Sequence, residues 1–355
     1  MIQRVAVVGA GTMGVGIAQL CAQSGFGVKV HDPLPAALET LLGRLKKSLD
    51  AAVLKGKLGT QQADRAFHSV SAAATLEDLA GADLVLEAAP EDLEVKRALF
   101  EKLSKICPDA VLATNTSSLS VAEIMARAVS PERTLGIHFF NPPVAMKLVE
   151  MVRTAKTSPE AFREAFDFVL MGLKRTPVDV KDVPGFIVNR VMRPYYVTAQ
   201  RLAGGGAPFA SLDADCRTRG GVPMGPFELM DLIGLDTNLS ITKSIYEALG
   251  RPERFAPPSL QQALVDRGMN GRKVGKGFYL YADGKPSGEN PDARSLLAEE
   301  APRGTWDALR AALIAEAELV VKEGTASASD VDVAIKLAMN FPKGPFERRK
   351  ESTAT

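Results

Sequence analysis

The chain has 355 residues, long for one ordinary domain and suited to two or three. Its 43 Lys and Arg stand against 42 Asp and Glu, and a net charge of +1 offers no electrostatic footprint for nucleic acid or an anionic membrane. Hydrophobic residues make up 46%, ample for real cores, yet no run approaches the ~20 apolar residues that a membrane span requires. Three scattered cysteines, Cys21, Cys107 and Cys216, form no CxxC pair and have no matching histidines. That argues against a metal site or a disulfide framework and for a reducing compartment. An apolar strand that starts at residue 2 leaves no room for a targeting leader, so a cytoplasmic protein is expected.

Ile2 to Val8 reads as a β-rich run that ends directly in Gly9-Ala10-Gly11-Thr12-Met13-Gly14. A helical pattern follows (Ile17, Leu20, Cys21), then a second strand, Val28 to His31, closed by Asp32. Strand, G-x-G-x-x-G, helix, strand and acid is the order a dinucleotide fold needs. Gly9 permits the tight turn, Gly11 lets the backbone approach a pyrophosphate, and Gly14 lets helix and strand pack closely. The helix N-terminus supplies N–H donors and a partial positive charge for the phosphates. Asp32 would accept from the adenosine ribose hydroxyls. No Arg follows it at once to receive a 2′-phosphate, so NAD is favoured over NADP.

Pro35 to Lys57 is predicted as one long helix, with His68 in the connector beyond it. Ser48 and Lys55, seven apart, share one face of that helix. Solvated surface and a ligand face both satisfy that spacing. Ala82 to Ala88 is a buried-strand candidate, and Pro90-Glu91-Asp92 opens a helix over Leu93 to Ile106, with acids where the helix dipole favours them. The next strand, Val111 to Thr114, ends in Asn115-Thr116-Ser117-Ser118. Ligands in doubly wound sheets bind outside the carboxyl ends of the strands, so these polar groups are site candidates. Capping the helix Val121 to Ala128 is their other role, one that Ser120 could fill alone.

Gly136 to Met151, GIHFFNPPVAMKLVEM, holds two apolar arms around Asn141-Pro142-Pro143. Such a corner folds the arms back on each other and can bring His138 beside Glu150. A carboxylate that orients an imidazole and stabilises its protonated form makes a proton-transfer device near neutral pH.

The grain changes near Asp182-Val183-Pro184-Gly185-Phe186. Helical segments follow over Val188–Leu202, Asp213–Arg219, Phe227–Asp231 and Asn238–Leu249, separated by Gly-rich joints. Asn189 lies on the first of them, close to a domain boundary, where ligand clefts form. The ending P-x-G-P-F-E occurs at Pro223 and again at Pro342, an offset of 119 residues. An acid-rich helix start precedes each copy, Asp213/Asp215 and Asp330/Asp332, and Trp306 to Val321 is a further apolar-periodic helix. The expected architecture is an α/β, Rossmann-type doubly wound sheet over 1–184 and an all-α C-terminal domain over 185–284. Residues 285–355 would be a second, partial copy of the helical part.

GAGTMGVGIAQ, EAAPEDLEVKRALF, NTSSLS, GIHFFNPPVAMKLVE, KDVPGFIVNR, PMGPFELMDLIGLDT and GKGFYLY stand in one order across residues 1 to about 282. In these motifs the chain resembles the 3-hydroxyacyl-CoA dehydrogenase family, close to its 3-hydroxybutyryl-CoA members. The resemblance implies that His138 is the catalytic acid/base, with Glu150 as its orienting partner. Ser117 and Asn189 would hold the region of the reacting substrate oxygen. Asp32, Glu91, Lys96, Ser117, Asn141 and Lys273 would surround NAD together with the Gly9–Gly14 loop, and Ser48 and Lys55 would meet the CoA portion of an acyl-CoA substrate. Short members of the family end soon after GKGFY, and their helical domain is the dimer surface. The extra copy here therefore points to either a homodimer or a pseudo-dimeric monomer. A sugar-acid enzyme of the same superfamily, L-gulonate 3-dehydrogenase, is the alternative; it would leave Ser48 and Lys55 without a role.

Overall fold

The protein, seen in a computed structural model, is described over residues 2–297 and 306–352. It divides into two compact units, Met1–Asp182 and Val183–Thr355.

The first unit is built on an eight-stranded sheet. In chain order its elements are β1 (Arg4–Val8), α1 (Thr12–Gln23), β2 (Gly27–His31), α2 (Pro35–Leu54), α3 (Thr60–His68) and β3 (Val70–Ala73). Next come β4 (Leu84–Glu87), α4 (Leu93–Ile106), β5 (Val111–Thr114) and α5 (Val121–Ile124). Last are β6 (Thr134–Phe139), β7 (Leu148–Arg153), α6 (Pro159–Asp167) and β8 (Thr176–Lys181). The spatial order is β3-β2-β1-β4-β5-β6-β7-β8. Neighbours run parallel except β6 and β7, which the Pro-Pro corner turns antiparallel. Central strands covered on both faces read as nearly continuous apolar runs: β4, β5 and β6 are buried at every position. The order reverses between β1 and β4, and ligands of such sheets lie outside the carboxyl ends at that switch point.

Two expectations are corrected here. The predicted helix ends at Leu54, not Lys57, and a separate helix, α3, follows where a connector was expected, with His68 in its last turn. Ala63 and Ala66 are buried and Phe67 half-buried on the inner side of this nine-residue helix. Its start is marked by Gln62, whose Oε1 accepts from Gly59 N–H at 3.1 Å.

The second unit is mainly helical: α7 (Val188–Gly204), α8 (Phe209–Gly220), α9 (Pro226–Ile233), α10 (Leu235–Ala248) and α11 (Ser259–Asp266). A hairpin, β9 (Tyr279–Ala282) with β10 (Lys285–Glu289), and a short α12 (Pro291–Arg294) lead to α13 (Trp306–Lys322), α14 (Ala328–Met339) and α15 (Pro345–Ser352). Contacts recur at the offset of 119 residues. Asp213 takes the N–H of Phe227 at 3.0 Å, and Asp332 takes that of Phe346 at 2.8 Å. Arg217 pairs with Glu228 at 2.6 Å, and Lys336 pairs with Glu347 at 2.5 Å. The matching acids are therefore Asp213 and Asp332; Asp213 sits in mid-helix in α8 rather than at a helix start. A Cβ on Gly225 or Gly344 would strike the respective aspartate, which explains glycine at both places. Of the segment 285–355, residues 298–305 and 353–355 lie outside the described residues.

Candidate active site

At the mouth of β1 the glycines divide the work. Gly9 has φ +103°, where L side chains strain, and a Cβ there would meet Ala88 O. A Cβ on Gly14 would meet Gly9 O, so that residue lets α1 start tight against the turn. At Gly11 a Cβ would meet nothing within 4 Å, and the α1 N-terminus beside it has no side-chain cap. That combination leaves backbone donors and room for an anion. Asp32, after β2, accepts Ala10 N–H at 2.7 Å and Leu34 N–H at 2.9 Å. Each of its oxygens keeps a second lone pair for a hydroxyl donor.

Beside the loop, β4 ends in Glu87, fully buried. Its carboxylate receives Lys96 Nζ at 2.5 Å, Ala89 N–H at 2.6 Å and Thr114 Oγ1 at 2.6 Å. Lys96, 1% exposed, spends its other donors on Ala89 O at 3.2 Å and Glu91 Oε2 at 3.3 Å. Glu91 in turn gathers Thr116 Oγ1 at 2.6 Å, Ser118 Oγ at 2.9 Å and Ser117 N–H at 3.2 Å. Burial opposes the charge on Glu91, but Lys96 and these hydrogen bonds hold its carboxyl below the ordinary range. One carboxylate thus shapes the whole Thr116–Ser118 turn after β5. Asn115 Oδ1 accepts Phe139 N–H at 2.8 Å and so ties that turn to the end of β6. Ser120 caps α5 by accepting Glu123 N–H, and Asp182 accepts from Ser120 Oγ, Val121 N–H and Ala122 N–H. The capping work therefore falls outside Ser117.

His138 and Glu150 are direct cross-strand partners in the β6–β7 register. Nδ1 lies 2.7 Å from Glu150 Oε2; His138 is 6% exposed and Glu150 0%. A carboxylate at this distance favours the tautomer with its proton on Nδ1. The Phe140 ring lies 4.6 Å from the imidazole, centroid to centroid, and closes one side of it. The corner between the strands packs on the cofactor helix: a Cβ on Gly16 of α1 would strike the Pro143 ring. Asn141 is exposed at that corner. On α2, Ser48 is half-buried, and Lys55, the residue after its last turn, is exposed. In the second unit, Asn189 sits in the first turn of α7, and its carbonyl accepts from Arg193 Nε at 3.1 Å. Lys273 pairs with Asp236 at 2.6 Å.

The 3-hydroxyacyl-CoA dehydrogenase NAD-binding domain profile matches residues 4–183, and the C-terminal domain profile of the same family matches 185–281. The chain belongs to the 3-hydroxyacyl-CoA dehydrogenase family. Within that family it is 41% identical over 285 residues to a 3-hydroxybutyryl-CoA dehydrogenase of Mycobacterium tuberculosis, covering 79% of this chain and 99% of the relative. It is 44% identical over 280 residues to a 3-hydroxyadipyl-CoA dehydrogenase of Escherichia coli K12, covering 78% of this chain but only 59% of that longer protein. A crystal structure of 3-hydroxybutyryl-CoA dehydrogenase from E. coli K12 superposes with a TM-score of 0.90 at 33% identity, over 99% of this chain and 92% of that one.

As a member of this family the protein is an NAD-dependent oxidoreductase. Its own residues fit the cofactor: the open space at Gly11, the uncapped α1 terminus and the spare lone pairs of Asp32 suit a dinucleotide. No described helix is long and apolar enough to cross a membrane, and no described cluster of His, Cys, Asp and Glu could hold a metal. Lys96 is the surprise among the expected cofactor residues. Its donors are directed at Glu87, Ala89 and Glu91. Glu87 escaped the sequence reading, although a lone acid at the end of LVLE is a readable signal of a satisfied buried carboxylate. Phe140 left no signal apart from its position two residues after His138, on the same side of the extended chain.

Proposed function

We propose that this dehydrogenase converts (S)-3-hydroxyacyl-CoA thioesters to 3-oxoacyl-CoA with NAD, and reduces them in the reverse direction. Short chains such as 3-hydroxybutyryl-CoA are the favoured substrates. The observation that carries this reading is the buried His138–Glu150 pair at 2.7 Å. His138 Nε2 takes the proton of the 3-hydroxyl as the C3–O bond becomes a carbonyl. Glu150 holds the ring and stabilises the imidazolium that forms. Proton transfer of this kind contributes roughly 10²–10⁴-fold in rate. NAD supplies the acceptor for the C3 hydride. Ser117, on the turn shaped by Glu91, and Asn189 position the reacting oxygen; Asp32 receives the ribose hydroxyls, while Glu91, Asn141 and Lys273 complete the cofactor's surroundings. Ser48 of α2 and Lys55, just past its end, meet the CoA portion.

The same reading places the enzyme in acyl-CoA metabolism in the cytoplasm. The contacts repeated at an offset of 119 residues support α13–α15 as a second copy of α7–α9, which leaves α10 and α11 without counterparts. Within the second unit, Arg190 of α7 pairs with Glu316 of α13 at 2.8 Å and with Glu323 at 2.8 Å. We infer that this internal packing takes the place of part of a dimer interface, giving a pseudo-dimeric monomer or a remodelled homodimer. Light scattering of the purified chain distinguishes the two. A kcat/KM series over 3-hydroxyacyl-CoA chain lengths, with NAD and with NADP, tests the activity itself. Failure to turn over any 3-hydroxyacyl-CoA would overturn it.

A further inference from the structure

Arg44 lies outside the motifs of the dinucleotide loop, on α2, yet its Nη2 donates to Ala10 O at 2.6 Å and to Ala37 O at 3.1 Å. Ala10 is the buried residue between Gly9 and Gly11, and its own N–H goes to Asp32 at 2.7 Å. The two faces of this one residue are therefore held by opposite charges, Asp32 on the amide and Arg44 on the carbonyl.

A trans peptide is planar, with its C=O and the following N–H pointing in opposite directions. Fixing Ala10 O on Arg44 therefore turns Gly11 N–H away from Arg44. Beside Gly11 there is open space, since a Cβ would meet no atom within 4 Å. Fixing Ala10 N–H on Asp32 likewise turns Gly9 O away, to the place where a Cβ on Gly14 would strike it. A guanidinium on the carbonyl also polarises the peptide and makes its N–H a stronger donor. Without these clamps a glycine-flanked peptide can rotate, because glycine tolerates conformations other residues do not.

We propose that Arg44 is a positioning residue for NAD: it sets the Ala10–Gly11 peptide so that Gly11 N–H is presented to the cofactor pyrophosphate. Arg44 and Ser48, four apart, share a face of α2, and Lys55 follows just past its end. The helix that carries the proposed CoA contacts is thereby also the one that braces the cofactor loop. This inference rests on the Gly9–Gly14 loop being the NAD site.

The test is ligand binding to the full chain carrying Arg44→Met, with Arg44→Lys as the conservative variant. NADH is followed by its fluorescence, and ADP-ribose and adenosine by its displacement. Arg44→Met should weaken NADH and ADP-ribose roughly tenfold or more, the range of a lost charge-assisted hydrogen bond. Adenosine, which has no pyrophosphate, should bind as to wild type. KM for NAD should rise while kcat at saturating NAD stays within about threefold, and Arg44→Lys should recover part of the loss. Unchanged NADH affinity in Arg44→Met, or an equal loss for adenosine, overturns the inference. Gly11→Val serves as the separate control: wild-type NADH binding there would overturn the site assignment itself, whereas loss of binding there with an unaffected Arg44→Met overturns only the role of Arg44.

Discussion

His138 and Glu150 face each other across the antiparallel pair β6–β7, with Nδ1 2.7 Å from Oε2 and both residues buried. The register enforces the meeting. A slip of one residue would turn either side chain to the other face of the sheet, where Ile137, Phe139, Val149 and Met151 fill the core.

Replacing the imidazole tests its chemistry. His138→Gln should leave NADH affinity within about twofold and lower kcat for 3-hydroxybutyryl-CoA by roughly 10²-fold or more. Steady-state kinetics beside a binding titration provides the check; retention of more than about a tenth of wild-type kcat would remove His138 from the acid/base role.

Glu150→Gln keeps the shape of the carboxylate and deletes its charge. The imidazolium formed during oxidation then lacks its partner, and kcat should fall on the order of tenfold or more while KM for NAD is unchanged. An unaltered kcat would show that the pair is structural.

Lys96 is predicted to matter for stability before it matters for catalysis. Lys96→Met strands the buried Glu87 carboxylate, and losing one partner of such a pair costs about 3–5 kcal/mol. Urea denaturation should show the loss, and the double variant Lys96→Met with Glu87→Gln should recover part of it. A neutral single variant would contradict the description of this network.

A pH dependence follows from the second unit. Burial raises Asp213 to about 7, although Tyr279 Oη and Phe227 N–H oppose the shift. Burial likewise raises Asp231 to about 6 against the N–H groups of Tyr279 and Phe278. Between the unfolded value of 3.8 and these folded values, the native state holds protons that the unfolded chain has released. This stabilisation is complete below about pH 4 and is lost as pH rises through about 6 to 7. The melting temperature of wild type relative to that of Asp213→Asn should therefore rise as pH is lowered from 7 to 4. A gap independent of pH would contradict the assignment.

Much of this was legible before any coordinates. The G-x-G-x-x-G turn, Asp32 and the strand-helix alternation each rest on local chain geometry, and local geometry is what residue types report. The His138–Glu150 approach could be anticipated because a Pro-Pro corner joins two apolar arms of similar length. What stayed hidden depended on long-range packing. Glu87, Lys96 and Glu91 cohere only once β4, α4 and the turn after β5 converge. Arg44 looked like one more basic residue on a helix face until α2 brought it to Ala10 O.

The most direct test of the central claim is the comparison of kcat/KM for (S)-3-hydroxybutyryl-CoA and for L-gulonate, both with NAD, in wild type and in His138→Gln. The account predicts turnover of the thioester by wild type, its collapse by roughly 10²-fold or more in the variant, and negligible turnover of L-gulonate. Efficient oxidation of L-gulonate with no activity on the thioester would contradict it.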